Sequence, residues 1–135
     1  MRNWNVDPSI LCLKHLLGEH CECHMFLGTL KKKKRMDGYI KNDLFEPLSL
    51  KDRHDILANE MSKRGMNHNS PLDVAWEDLS YLTSEQIRHR INSLNSLNIL
   101  LERCPECCAN FSKGMKGEVF SQAQVEGTTP NGTGS

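Results

Sequence analysis

The 135-residue chain carries no net charge, 17 Lys and Arg set against 17 Asp and Glu, and only 6% of its residues are aromatic. Electroneutrality excludes indiscriminate nucleic-acid binding through bulk charge. No apolar run reaches the length of a membrane span, and Asp7 and Pro8 interrupt the stretch where a secretory signal needs unbroken apolar residues. An unexported, cytoplasmic protein that does not bind membranes is therefore expected. No segment alternates cleanly for five residues, no repeat appears, and no glycine-rich phosphate loop is present. Sheets, solenoids and nucleotide-dependent chemistry drop out together. What remains is an all-α fold, and the length suits a single compact domain.

The charge that is present is unevenly placed. Residues 1–35 hold Arg2, Lys14, Lys31, Lys32, Lys33, Lys34 and Arg35 against Asp7, Glu19 and Glu22, a local excess of +4 balanced by −4 in the remainder. A basic N-terminal third can steer a polyanion to one face, and the same run also suits a solvated helix end. Six cysteines fall in two clusters, Cys21/Cys23 and Cys104/Cys107/Cys108, with Cys12 alone. Without an export signal they read as reduced thiols.

About three main helices are expected. Asp7-Pro8 has the form of a cap followed by a first-turn proline, and helical spacing then runs to about Lys34. On that long first helix Ile10, Leu13, Leu16, Leu17, His20, Cys21, His24 and Leu27 share a predicted core face. His15, Glu19, Glu22 and Phe26 share the opposite side. Residues 36–49 read as a loop. Ser49 and Asp52 predict a capped second helix with Ile56, Leu57 and Met61 inward, stopping at Gly65. Trp76, Leu79 and Leu82 are expected over the core. Thr83 and Gln86 predict the cap of a third helix, with Ile87, Ile91, Leu94, Leu97 and Leu101 as its stripe to about Arg103. The helical domain is thus expected over residues 1–108, followed by a poorly ordered tail over 109–135 rich in Gly, Ser, Thr, Gln and Asn.

The polar side of the first helix sets one imidazole and two carboxylates within two turns, because positions 15, 19 and 22 are four and then three apart. Such a group can move protons, and it is equally the pattern of a solvated charged stripe. The segment HLLGEHCECHMFLG (15–28), the opening Met1-Arg2 and the later NEMSKRGM (59–66) resemble the phage-type pyrimidine-dimer DNA glycosylases, the endonuclease V family. The offsets from the chain's start to Arg2, His15, Glu19, Glu22 and Gly28 match without a gap, and the likeness covers about residues 1–30 and 50–66.

The resemblance implies a DNA glycosylase with coupled AP lyase activity. The α-amine of Met1 is the implied nucleophile, retained because Arg2 is too large for initiator removal, and Glu22 is the implied acid/base. His15 is implied to hold the sugar or phosphate. Arg2, Lys14, Lys31 and Lys32 are candidate DNA contacts. The implied partner is double-stranded DNA with a lesion or abasic site, bent to extrude a nucleotide, with the protein acting as a monomer and needing no cofactor for the chemistry. Cys21 and Met25 stand where the family presents phosphate-gripping arginines, and its basic aromatic C-terminal segment is missing. A lesion other than the cyclobutane dimer is as compatible with the sequence.

Metal ligation is a separate candidate. Cys104 and Cys107 form a C-x2-C knuckle, and His20 and His24 are four apart on a helix, so the four predict a structural Cys2His2 zinc site. Buried thiols and hydrogen-bonded core histidines would give the same pattern. His54, His68 and His89 have no evident partners and read as surface residues. Two further functions stay open: a non-catalytic zinc-stapled DNA-binding or adaptor protein, and a helical interaction module without a nucleic-acid role.

Overall fold

The computed structural model describes residues 1–67 and 70–122, with side chains to residue 114, and among them the secondary structure is entirely helical. The predicted first helix is two elements. Asp7 Oδ1 accepts the Ser9 N–H at 2.9 Å and opens a single 3-10 turn, Pro8–Ile10, after which Leu11 and Cys12 are extended. The long helix α1 then runs Leu13–Lys31 and ends where Lys33 takes a left-handed φ of 56°. The loop expected over 36–49 contains α2 (Asp37–Lys41) and a 3-10 turn, Pro47–Ser49.

Helix α3 (Leu50–Lys63) falls where predicted, and Gly65 at φ +81° supplies the left-handed stop that costs glycine least. Its predicted cap is a correction: the Ser49 hydroxyl donates to the Glu46 carboxylate and makes no capping bond. Helix α4 is Trp76–Leu79. The predicted third helix is also broken in two. Thr83 and Gln86 do form the reciprocal capping box, but for the short α5 (Ser84–Arg88). The Ile91 N–H is claimed by Glu46 at 2.7 Å and that of Asn92 by Asp43 at 3.0 Å, so the backbone leaves the helix and restarts as α6 (Ser93–Arg103), capped by Asn92. Helix α7 (Pro105–Gln122) crosses the boundary expected at residue 108; the tail expectation for 123–135, like that for His68, lies outside the described residues.

The core gathers Leu16, Phe26 and Leu30 of α1 with Phe45, Leu50, Leu57 and Leu100, all at most 1% exposed, and the Phe26 and Phe45 rings stack at 4.4 Å. The inward stripe of α1 is Leu16, Glu19, Cys23, Phe26 and Leu30. It is turned by about 100°, one residue, from the expected face. Leu13, Leu17 and Cys21 are exposed instead, as are Ile56, Trp76 and Leu94, while Leu79 and Leu82 are buried as predicted and Leu100 takes the place assigned to Leu101.

The rotation has a specific cause. Glu19, 2% exposed, meets Arg53 of α3 in a two-pronged ion pair, Nε to Oε2 at 2.7 Å and Nη2 to Oε1 at 2.8 Å. The non-helical residues 1–6 lie across this face: the Trp4 N–H donates to Glu19 Oε2 at 3.0 Å, and Arg53 Nη1 donates to the Val6 carbonyl at 2.7 Å. Counting leucines finds the wrong side because the acid is buried with its partner. Among the described residues no helix is long and apolar enough to cross a membrane.

Removing one member of a buried pair leaves the other charge stranded. Arg53→Ala is expected to lower unfolding free energy by about 3–5 kcal/mol, read in urea melts, whereas Arg35→Ala, which breaks the exposed pair with Asp37, should leave the midpoint near wild type.

Candidate active site

The site grows from the way the chain's start is tied down. Residues 1–6 have no helical partner of their own, so each polar backbone group must find one elsewhere. The Asn3 N–H donates to the Leu44 carbonyl at 2.7 Å, the Trp4 carbonyl accepts from Ser96 Oγ at 2.6 Å, and the Trp4 N–H goes to Glu19. The Arg2 N–H donates to Glu22 Oε1 at 2.9 Å. The first peptide of the chain is thereby held against the half-buried carboxylate one turn beyond Glu19.

Arg2 is the incompletely satisfied member of this group. Its guanidinium lies 3.9 Å from the centre of the Trp4 ring, and Nη2 reaches Ser96 Oγ at 3.4 Å. Nε is buried and has no acceptor among the described residues. Burial, and then the like charge of Arg103, lower its pKa from the ordinary arginine value. An incompletely satisfied cation beside a carboxylate is an arrangement that favours an anionic ligand.

The predicted DNA contacts divide. Arg2 belongs to the site. Lys14 and Lys32 are exposed. Lys31 lies nine residues from Glu22, roughly half a helical circumference around and about 13 Å along the axis, and pairs with Asp78 at 3.2 Å. His15 is partly exposed, with its ring edge-on to Trp4 at 5.9 Å and its Nδ1 3.2 Å from Cys12 Sγ.

The predicted four-ligand set is not assembled, a second correction. Cys104 and Cys107 stand with Cys12 and His15, while His20 and His24 stand with His54, each group having its ligand atoms within 4.8 Å. His54, expected on the surface, is 1% exposed, because it sits on the face of α3 that packs against α1. His89, also expected to lack a partner, meets Asp43 at 2.7 Å.

Arg53 and Asn3 were not among the expected site residues. A signal for Arg53 exists: it occupies an apolar-stripe position, Leu50–Arg53–Leu57–Met61, where a charge needs a buried partner. Asn3 reaches Glu19 Oε2 at 3.4 Å and Cys23 Sγ at 3.5 Å, and nothing in its sequence context marks it.

Residues 1–74 match the family described as pyrimidine dimer DNA glycosylase. No curated protein and no solved structure matches the chain.

The two cysteines of α1 report on its rotated face. Burial, reinforced by the Glu19 charge, pushes the Cys23 thiol up to about 12, whereas Cys21 is exposed. Because the thiolate is the reactive species, iodoacetamide at pH 8 is expected to alkylate Cys21 in the native protein and Cys23 only after denaturation, read by peptide mass spectrometry.

Proposed function

The chain belongs to the pyrimidine dimer DNA glycosylase family, and on that footing we propose that it excises damaged bases from duplex DNA and cuts the strand through a Schiff base formed by its own N-terminal amine. The observation that carries this reading is the hydrogen bond from the Arg2 N–H to Glu22. It ties the residue next to the nucleophile to the only acid expected to take part in the reaction.

An α-amine is a better nucleophile near neutral pH than a lysine side chain, because it gives up its proton far more readily. The lone pair of the Met1 nitrogen attacks C1′ of the extruded nucleotide, and the glycosidic C1′–N bond breaks with its electrons leaving on the base. Opening of the sugar ring gives a C1′=N iminium. That positive nitrogen acidifies C2′–H; Glu22 accepts the proton, the C–H electrons form a C1′=C2′ enamine, and their return breaks C3′–O with the phosphate as leaving group, leaving a C2′=C3′ double bond conjugated to the C1′=N iminium. Water then hydrolyses the imine and restores the free amine.

Arg2 suits the role of phosphate partner, since its buried Nε–H has no acceptor among the described residues and its charge is already partly desolvated. Lys14 and Lys32, exposed on the flanks of α1, serve the backbone on either side. Lys31 is committed to Asp78 and contributes field more than contact.

Borohydride trapping with an abasic-site duplex tests the nucleophile. A covalent adduct is expected with the unmodified chain and is expected to vanish when the N-terminus is acetylated or extended by one residue. Salt-sensitive binding without any adduct would establish the non-catalytic reading in its place. Glu22→Gln is expected to keep duplex affinity and to lose about 10²–10⁴-fold in strand cleavage; cleavage near the wild-type rate would assign the proton transfer to another group.

A further inference from the structure

Four side chains from opposite ends of the sequence meet at the start of α1. Cys12 and His15 are three apart across the first turn of that helix, and Cys104 and Cys107 are three apart across the corner where α6 ends and α7 begins. The three sulfurs are nearly or fully buried, Cys12 at 5%, Cys104 at 8% and Cys107 at 0% exposure.

All four ligand atoms lie within 4.8 Å of one another, and three of the separations are close to the edges of a metal-centred tetrahedron. Cys12 Sγ lies 3.8 Å from Cys104 Sγ, and His15 Nδ1 lies 3.2 Å from Cys12 Sγ and 3.6 Å from Cys107 Sγ. A tetrahedral zinc with bonds of about 2.3 Å to sulfur and about 2.0 Å to nitrogen has S–S edges of about 3.8 Å and S–N edges of about 3.5 Å. A sulfur separation of 3.8 Å is far beyond a disulfide bond. The backbone supports thiolates as well. The Cys12 N–H donates to Cys107 Sγ at 3.2 Å and the Cys107 N–H to Cys104 Sγ at 3.4 Å, the outer-shell bonds that orient metal-bound sulfur.

We propose that Cys12, His15, Cys104 and Cys107 bind one Zn²⁺ in a closed Cys3His site that staples the start of α1 to the α6–α7 corner. Three thiolates and one imidazole select zinc among common divalent ions, and four protein ligands leave no position for substrate, so the ion is structural. The histidine cluster is the weaker metal candidate. His54 Nδ1 lies 2.9 Å from Asp55 Oδ1 and its Nε2 lies 3.0 Å from the Ser70 carbonyl, so its ring nitrogens already face protein oxygens, and the histidine cluster offers three ligand atoms where the thiol–imidazole cluster offers four. The assignment recasts His15 as a metal ligand through Nδ1, and it is independent of whether the chain is a lyase.

The full chain, purified without a metal-affinity step from cells grown with zinc, is expected to carry one equivalent of zinc by elemental analysis. Exchange with Co²⁺ is expected to give the intense visible bands of tetrahedral cobalt and near-ultraviolet thiolate-to-cobalt charge transfer. Cys107→Ser and His15→Ala should weaken or abolish both, while Cys21→Ser and His24→Ala retain them. Because the ligand variants can fail to fold, the wild-type cobalt spectrum decides alone. Absence of zinc together with a cobalt spectrum lacking thiolate charge transfer overturns the site, as does a spectrum untouched by both ligand variants.

Discussion

The Glu19–Arg53 pair is the contact on which the placement of the chain's start depends. Two charges at the centre of a small helical protein cost several kcal/mol each to desolvate, and their attraction alone seldom repays it. Here the remaining hydrogen-bonding capacity is filled: Glu19 also takes the Trp4 N–H and the Asn3 amide, and Arg53 also donates to the Val6 carbonyl. The pair therefore does what an apolar pair of the same size would not. It offers acceptors and a donor, at fixed positions, to a non-helical segment that has no hydrogen-bonding partners of its own.

That service bears directly on the chemistry. The first few residues of most domains fray, since they have few contacts to offset the entropy of ordering them. A nucleophile located on the first residue would then be spread over a large volume, and the advantage of holding reactants in one geometry would be lost. Hydrogen bonds at residues 2, 3 and 4, with Trp4 and Val6 buried, reduce that freedom to a single residue beyond the last fixed peptide. The proposed catalysis by a terminus demands an unusually well-anchored terminus, and the buried ion pair supplies an anchor.

The sequence shows its helices more clearly than their faces. The spacing of apolar residues identified α3 and its glycine stop, and the Thr83–Gln86 box marked a true helix start, because these signals are local. The inward side of α1 was not legible. Glu19 looks solvent-facing until Arg53, 34 residues away, is known to share its burial, and the covering segment of residues 1–6 has no periodicity to announce it. The break between α5 and α6 was hidden for the same reason, since it is made by Glu46 and Asp43 claiming backbone donors some 45–49 positions distant. The metal ligands were half legible. Cys104-x2-Cys107 was conspicuous, but its complement, Cys12-x2-His15, has the same spacing and went unmatched because His20 and His24 offered a more familiar one.

The thiol–imidazole cluster and the carboxylate site share one face of α1, since positions 15, 19 and 22 succeed one another within two turns. Side chains of the N-terminal segment connect them: the His15 ring stands edge-on to Trp4, and the Arg2 guanidinium lies on Trp4. A zinc ion holding Nδ1 of His15 fixes that ring, which in turn supports the indole that carries Arg2. The metal would then act on the reaction only by limiting the motion of Trp4 and Arg2, and the buried ion pair would limit it from the other side. With α1 tied to the α6–α7 corner near Cys12 and to α3 at Glu19, the amine proposed as nucleophile sits on a residue whose side chain packs against the core and whose following peptide is held by Glu22.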